Sequence, residues 1–123
     1  MSKVVIFKED GLLRRLIPFG LNPDGSVNSA AFKKRKKPKN KFSVDLEKLT
    51  TLKKCLGNLA SKGFAVGRFK AAIPISLGFR VHHDPEYDNY AHTTAEGHNN
   101  DDKCRALARA TEVLLRPAQH QAV

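Results

Sequence analysis

FRVHHDPEYDNYAHTTAEG, residues 79–97, carries the clearest strand–turn–strand pattern in the chain, and the fold is read from it. Taken as FRVHH, a turn, and NYAHTTAEG, it is two strands joined by a polar loop. Phe79 and Val81 face in and Arg80 and His82 face out, while Tyr90, Thr93 and Thr94 favour extended backbone. Asp84-Pro85 starts the turn, and Asp88-Asn89 ends it through side-chain hydrogen bonds to the local backbone. If the strands pair as a hairpin, His82 or His83 sits opposite His92 with side chains about 5 Å apart. The competing reading is a metal loop. Period two puts Tyr90, His92, Thr94 and Glu96 on one face, yet His92 and Glu96 are then about 13 Å apart at ~3.3 Å per residue. Zinc needs three or four ligands within about 2.3 Å of one point. Neither HxxxH nor HExxH spacing occurs, so no metal is expected.

On the N-terminal side, FSVD at 42–45 is a strand candidate. Asp45 is positioned to cap a helix over LEKLTTLKKCLGNLASKG, whose Leu46, Leu49, Leu52, Leu56 and Leu59 recur every three or four residues. Gly63 ends it in a left-handed cap. FAVGRF reads as a strand and PISLG as a short helical turn. VVIF at 4–7 is another strand candidate, whereas LLRRLI at 12–17 is too short to decide. On the C-terminal side, Asn, two aspartates and Pro117 bound a last helix over NNDDKCRALARATEVLLRP, with Cys104, Leu107, Ala108, Thr111, Leu114 and Leu115 on one face. The expectation is a single α+β domain over 1–123, with a small mixed or antiparallel sheet of four to five strands and two main helices packed on it.

Composition narrows the classes. The chain of 123 residues has no Trp, so core volume rests on seven Phe and the aliphatics. No apolar run approaches the ~18 residues of a membrane span. Lys8, Glu9 and Asp10 interrupt the N-terminal stretch too early for a secretory segment. The two cysteines, Cys55 and Cys104, form no CxxC and fit buried thiols in a reducing cytoplasm. The net charge is +10, but it is concentrated. KKRKKPKNK at 33–41 holds seven basic side chains (Lys33, Lys34, Arg35, Lys36, Lys37, Lys39 and Lys41), and the remainder carries 15 basic against 12 acidic residues. Like charges and Pro38 predict an exposed loop. Its repulsion is relieved by an anionic partner, and with no aromatics inside it, phosphate contact without base readout is the expected mode. From Val81 to Asp102 the chain has six acidic residues and no Lys or Arg.

Three functions remain. One is an accessory protein contacting RNA or DNA backbone through 33–41 within a larger nucleoprotein assembly. A second is a metal-independent ribonuclease-like toxin or processing enzyme, in which His83 and His92 act as base and acid and Arg14 or Arg15 holds the phosphate. The third is a protein-interaction module whose acidic face meets a basic partner. No Walker loop, GxGxxG, nucleophile elbow or helix–turn–helix signature occurs, and no cofactor is expected.

Five motifs together, RRLIP at 14–18, SAAF at 29–32, FSVD at 42–45, LGF at 77–79 and HDPEYDNYAH at 83–92, resemble a family of small bacterial proteins of unknown function. The resemblance covers about residues 14–115 and transfers no activity. It implies that Arg14, Arg15, Ser29, Phe32, Ser43, Asp45, Asn89 and His92 matter more than their chemistry alone suggests. The lysine-rich insertion between SAAF and FSVD is a departure from that pattern.

Overall fold

The computed structural model describes residues 2–33 and 40–116. They build an α+β fold around one six-stranded antiparallel sheet. The strands are β1 (Gly11–Leu16), β2 (Lys41–Leu46), β3 (Ala65–Lys70), β4 (Arg80–His83), β5 (His92–Glu96) and β6 (Glu112–Leu115), in the order β4-β5-β2-β1-β3-β6. The helices are α1 (Leu52–Leu56), α2 (Ala72–Ser76) and α3 (Asp101–Ala110).

The undecided segment LLRRLI supplies β1, a central strand. Leu12 and Leu16 point into the main core and Leu13 into a second cluster, all at 1% exposure or less. A strand covered on both faces needs apolar residues on both, which is why no clean alternation marks it. On the main face, Phe32, Phe42, Phe69 and Phe79 pack edge-to-face with ring centroids 5.3–5.7 Å apart. Leu107, Ala108 and Cys104 of α3 close this core. On the other face, Cys55 and Leu56 of α1 lie over Leu13 and Val66.

Three sequence expectations change. The long helix over 46–63 is three pieces: a 3-10 turn at Glu47–Leu49, α1, and a 3-10 segment at Gly57–Lys62. Thr50 is extended, with φ −149° and ψ −175°, and Thr51 starts α1 by accepting the Lys54 N–H. Two β-branched threonines with local capping chemistry break the helix there. Asp45 is therefore not a cap; it ends up buried in β2. Gly63 does cap in the left-handed region, at φ 81°.

The last helix stops at Ala110, where the Thr111 hydroxyl donates to the Leu107 carbonyl at 2.7 Å and the backbone turns extended. Residues Glu112–Leu115 become β6, paired with β3. VVIF forms no strand. Val4 and Ile6 still pack on the core, but the backbone is held by side chains. Val4 N–H donates to His83 Nδ1 at 2.9 Å, and the Tyr90 hydroxyl donates to the Ser2 carbonyl at 2.8 Å. The count is thus six strands and three helices rather than four to five and two.

Candidate functional site

Residues 79–97 do form the expected hairpin, and its register defines the site. β4 pairs with β5 as Arg80↔Glu96 and His82↔Thr94, and β5 pairs with β2 as Lys41↔Glu96, Ser43↔Thr94 and Asp45↔His92. The Asp84 N–H donates to the His92 carbonyl at 2.9 Å, extending the last pair. Side chains two apart on a strand share a face. Three polar rows therefore cross the β2-β5-β4 face that α1 leaves uncovered: Lys41–Glu96–Arg80, Ser43–Thr94–His82 and Asp45–His92–Asp84. Lys41, Ser43 and Arg80 are exposed, while Asp45, His92 and Thr94 are buried beneath their neighbours.

His92 sits at the centre of the third row. Its Nδ1 lies 2.8 Å from the Asp84 carbonyl oxygen, and its Nε2 lies 3.1 Å from Ser43 Oγ. A carbonyl only accepts, so in the neutral ring Nδ1 carries the proton and Nε2 accepts from the Ser43 hydroxyl. The Glu86 carboxylate lies 3.8 Å from the same Nε2. Asp84 itself accepts from Thr94 Oγ1 at 2.9 Å, and that bond holds its carboxyl below the usual range. Nearby in the second row, His82 Nδ1 is the one buried side-chain N or O atom without a partner among the described residues.

Asp45 binds this row to the loop. Its Oδ1 accepts from Asn89 Nδ2 at 2.8 Å, and its Oδ2 is 3.9 Å from Arg15 Nη1. Glu86 and Asn89 exchange backbone hydrogen bonds, leaving Tyr87 fully exposed at the tip. Between the loop and α1 opens a cleft of about 570 Å³. Arg15 and Lys54 contribute cations to its lining, Glu86 and Asp88 contribute carboxylates, and Asn89 and Tyr90 also border it. Arg15 also donates to the Cys55 carbonyl at 3.2 Å. The Cys55 thiol is buried close to Asp45, and burial pushes its pKa up to about 12, which makes it a poor nucleophile.

The four residues expected to act together divide between the faces. Arg15 and His92 lie on the polar face. Arg14 lies on the other, its guanidinium 5.5 and 5.4 Å from the Phe32 and Phe42 ring centroids. It donates to the Ser43 carbonyl at 2.7 Å and to the Ala31 carbonyl at 3.0 Å. Burial, then the charge of Arg15, pulls its pKa down to about 10. His83 pairs with Thr93, not His92, and both its ring nitrogens are engaged, Nδ1 by Val4 and Nε2 by the Tyr90 carbonyl at 2.6 Å. The cross-strand histidine pair expected from the hairpin does not form, because the β4–β5 register sets His82 against Thr94 and His83 against Thr93 and leaves Asp84 opposite His92. Of the basic segment, Lys33 Nζ is 3.8 Å from Asp101 and Lys41 Nζ is 3.9 Å from Glu96. Lys34, Arg35, Lys36, Lys37 and Lys39 lie outside the described residues.

Among the described residues, no group of three His, Cys, Asp or Glu is placed to hold a metal ion. No described helix is long and apolar enough to cross a membrane. Family models, curated proteins and solved structures give no significant match. The motif resemblance therefore rests on the quoted residues alone, and five of the positions it marks, Arg15, Ser43, Asp45, Asn89 and His92, meet on this face. Of these, only Arg15 and His92 stand out in the sequence by their chemistry as site residues. The alternation of FSVD was the signal for Ser43 and Asp45 sharing a face, but nothing local indicates that β5 is their partner.

Proposed function

We propose that this is a cytoplasmic nucleic-acid-binding protein, a single α+β domain that contacts RNA or DNA backbone through residues 33–41 as an accessory to a larger nucleoprotein assembly. The observation that carries the reading is the charge distribution: seven of 22 basic residues fall in nine positions, while the rest of the chain is close to balance. Such a density releases counterions when it meets phosphates and has no need of base contacts. The described ends of the segment support it. Lys33 follows the 3-10 turn Ser29–Phe32 beside Asp101, and Lys41 opens β2 in the outermost polar row of the open sheet face. Their acidic partners are exposed or partly exposed and distant, which makes them weak competitors for phosphate. The test is binding of an unstructured oligonucleotide over a salt series. With about four to six phosphates engaged on a single strand, log affinity falls against log salt with a slope of about −3 to −4. Replacing Lys33, Lys34, Arg35, Lys36 and Lys37 with Gln abolishes the binding and leaves the melting temperature unchanged. A slope near zero, or undiminished binding by the variant, refutes the reading.

A further inference from the structure

Between the second and third polar rows lies chemistry that phosphate contact does not use. Ser43 Oγ is exposed on the sheet face and lies 3.1 Å from His92 Nε2. The opposite ring nitrogen is fixed by the Asp84 carbonyl at 2.8 Å, so the Nε2 lone pair is aimed at the hydroxyl. A hydroxyl within reach of a base, with the base held by a third group, is the arrangement that activates a serine. The Glu86 carboxylate at 3.8 Å from Nε2 is placed to stabilise the imidazolium that forms when the ring takes a proton. The partner of its hydroxyl distinguishes this serine from three other exposed ones. Ser61 and Ser76 give their hydroxyl protons to backbone carbonyls, and Ser26 gives its proton to Asp24. Ser43 is the one directed at an imidazole.

We infer that Ser43 is a nucleophile activated by His92, and that the site takes an acyl ester or thioester whose anionic tail enters the cleft beside Arg15 and Lys54. The electrostatics select this class. A phosphodiester anion at Ser43 meets the Glu86 carboxylate, whereas a neutral carbonyl does not. Arg15 and Lys54 then supply cations further along, in a cleft that Glu86 and Asp88 also line, with Arg15 3.9 Å from the buried Asp45 carboxylate. In the first step the Ser43 hydroxyl proton passes to His92 Nε2 as the Oγ–C bond forms. When the tetrahedral adduct collapses, the bond to the leaving alcohol or thiol breaks and His92 returns the proton to it. Water then attacks the acyl-serine with the same base, releasing the acid and restoring Ser43. This activity is independent of nucleic-acid binding by 33–41.

The experiment is covalent labelling of the full chain with a neutral alkyl fluorophosphonate, read by intact mass and peptide mapping. One adduct is expected, on Ser43, with Ser26, Ser61 and Ser76 as internal controls. Ser43→Ala abolishes it; the residue is exposed, so that variant keeps its fold. His92→Gln slows labelling by at least about 100-fold, the smaller end of general-base effects. In turnover, p-nitrophenyl hemisuccinate is hydrolysed faster than p-nitrophenyl acetate, and Arg15→Met with Lys54→Met removes that preference. No adduct on Ser43 in the wild-type protein, or adducts spread equally over the four serines, overturns the assignment whatever His92→Gln does to folding. A folded His92→Gln protein labelled at the wild-type rate overturns the role of His92.

Discussion

Replacing Asp45 should separate the loop from the sheet, and the geometry sets the size of the effect. Asp45 is 2% exposed and joins two partners on different elements, Asn89 in the loop and Arg15 in β1. Asp45→Ala removes a hydrogen bond to a charged acceptor, worth about 1.5–3 kcal/mol when buried. The Arg15 contact adds less than about 1 kcal/mol, because that guanidinium is about a third exposed and 3.9 Å away. A total loss of about 2–4 kcal/mol is therefore expected, a large part of a typical stability of roughly 5–15 kcal/mol. Asp45→Asn keeps the shape and an acceptor for Asn89, and should cost about half as much. Urea denaturation with an unchanged m-value measures both. A double-mutant cycle with Asn89→Ala isolates the shared bond, at a coupling of about 1–2 kcal/mol. Hydrogen exchange supplies the local readout: amides of 86–91 should lose protection before those of β1 and β3. A coupling within error of zero would show that the loop is held by its own backbone bonds, and that Asp45 does not tie it to the sheet.

Other contacts give three more expected outcomes. Leu107→Ala, at a fully buried position in α3, should cost about 2–5 kcal/mol, while Leu114→Ala in the partly buried edge strand β6 should cost clearly less; equal losses in denaturant melts would contradict the end of α3 at Ala110. His83→Phe keeps the ring packed on Tyr90 but orphans the Val4 N–H, so amide exchange at Val4 should accelerate at a stability cost of about 1–3 kcal/mol; unchanged exchange there refutes the tether. Asp10 and Asp84 both have lowered folded pKa values, the first chiefly through the Phe7 N–H and the second through Thr94. Their contribution is present above the unfolded value near 3.8 and is lost as pH falls below it, so acid melts of Thr94→Val should show a shallower decline across that range than wild type.

The parts of the fold legible in the sequence were those whose cause is local. The hairpin at 79–97, the β2 and β3 strands, the Gly63 cap and the Asn100 cap all arise from turn residues or alternation over a few positions. The errors share a different cause. VVIF has strand chemistry but finds a histidine ring rather than a ladder, and the residues after Ala110 have helical spacing but find an open edge at β3. In both, a tertiary partner overrides local preference. The site shows the same division. His92 and Arg15 were visible as chemistry, while Ser43 and Asp45 became neighbours of His92 and Asn89 only through the β2–β5 register, which joins segments about 50 residues apart and has no mark in either.

The strand order has a kinetic consequence. Only the β4–β5 ladder joins strands linked by a short loop; β1–β3, β2–β5 and β3–β6 all pair segments that are distant in the chain. Each of those ladders needs a long loop closed before any of its hydrogen bonds offsets the lost entropy, which places folding in the slow range typical of non-local β-sheets. A hairpin such as 79–97 closes locally within about 1–10 μs, although alone it is only marginally stable. The His92–Asp84 contacts lie within this hairpin and need no other strand. Ser43 reaches His92 only when β2 docks on β5, so the serine–histidine contact reports the closure of that long-range ladder.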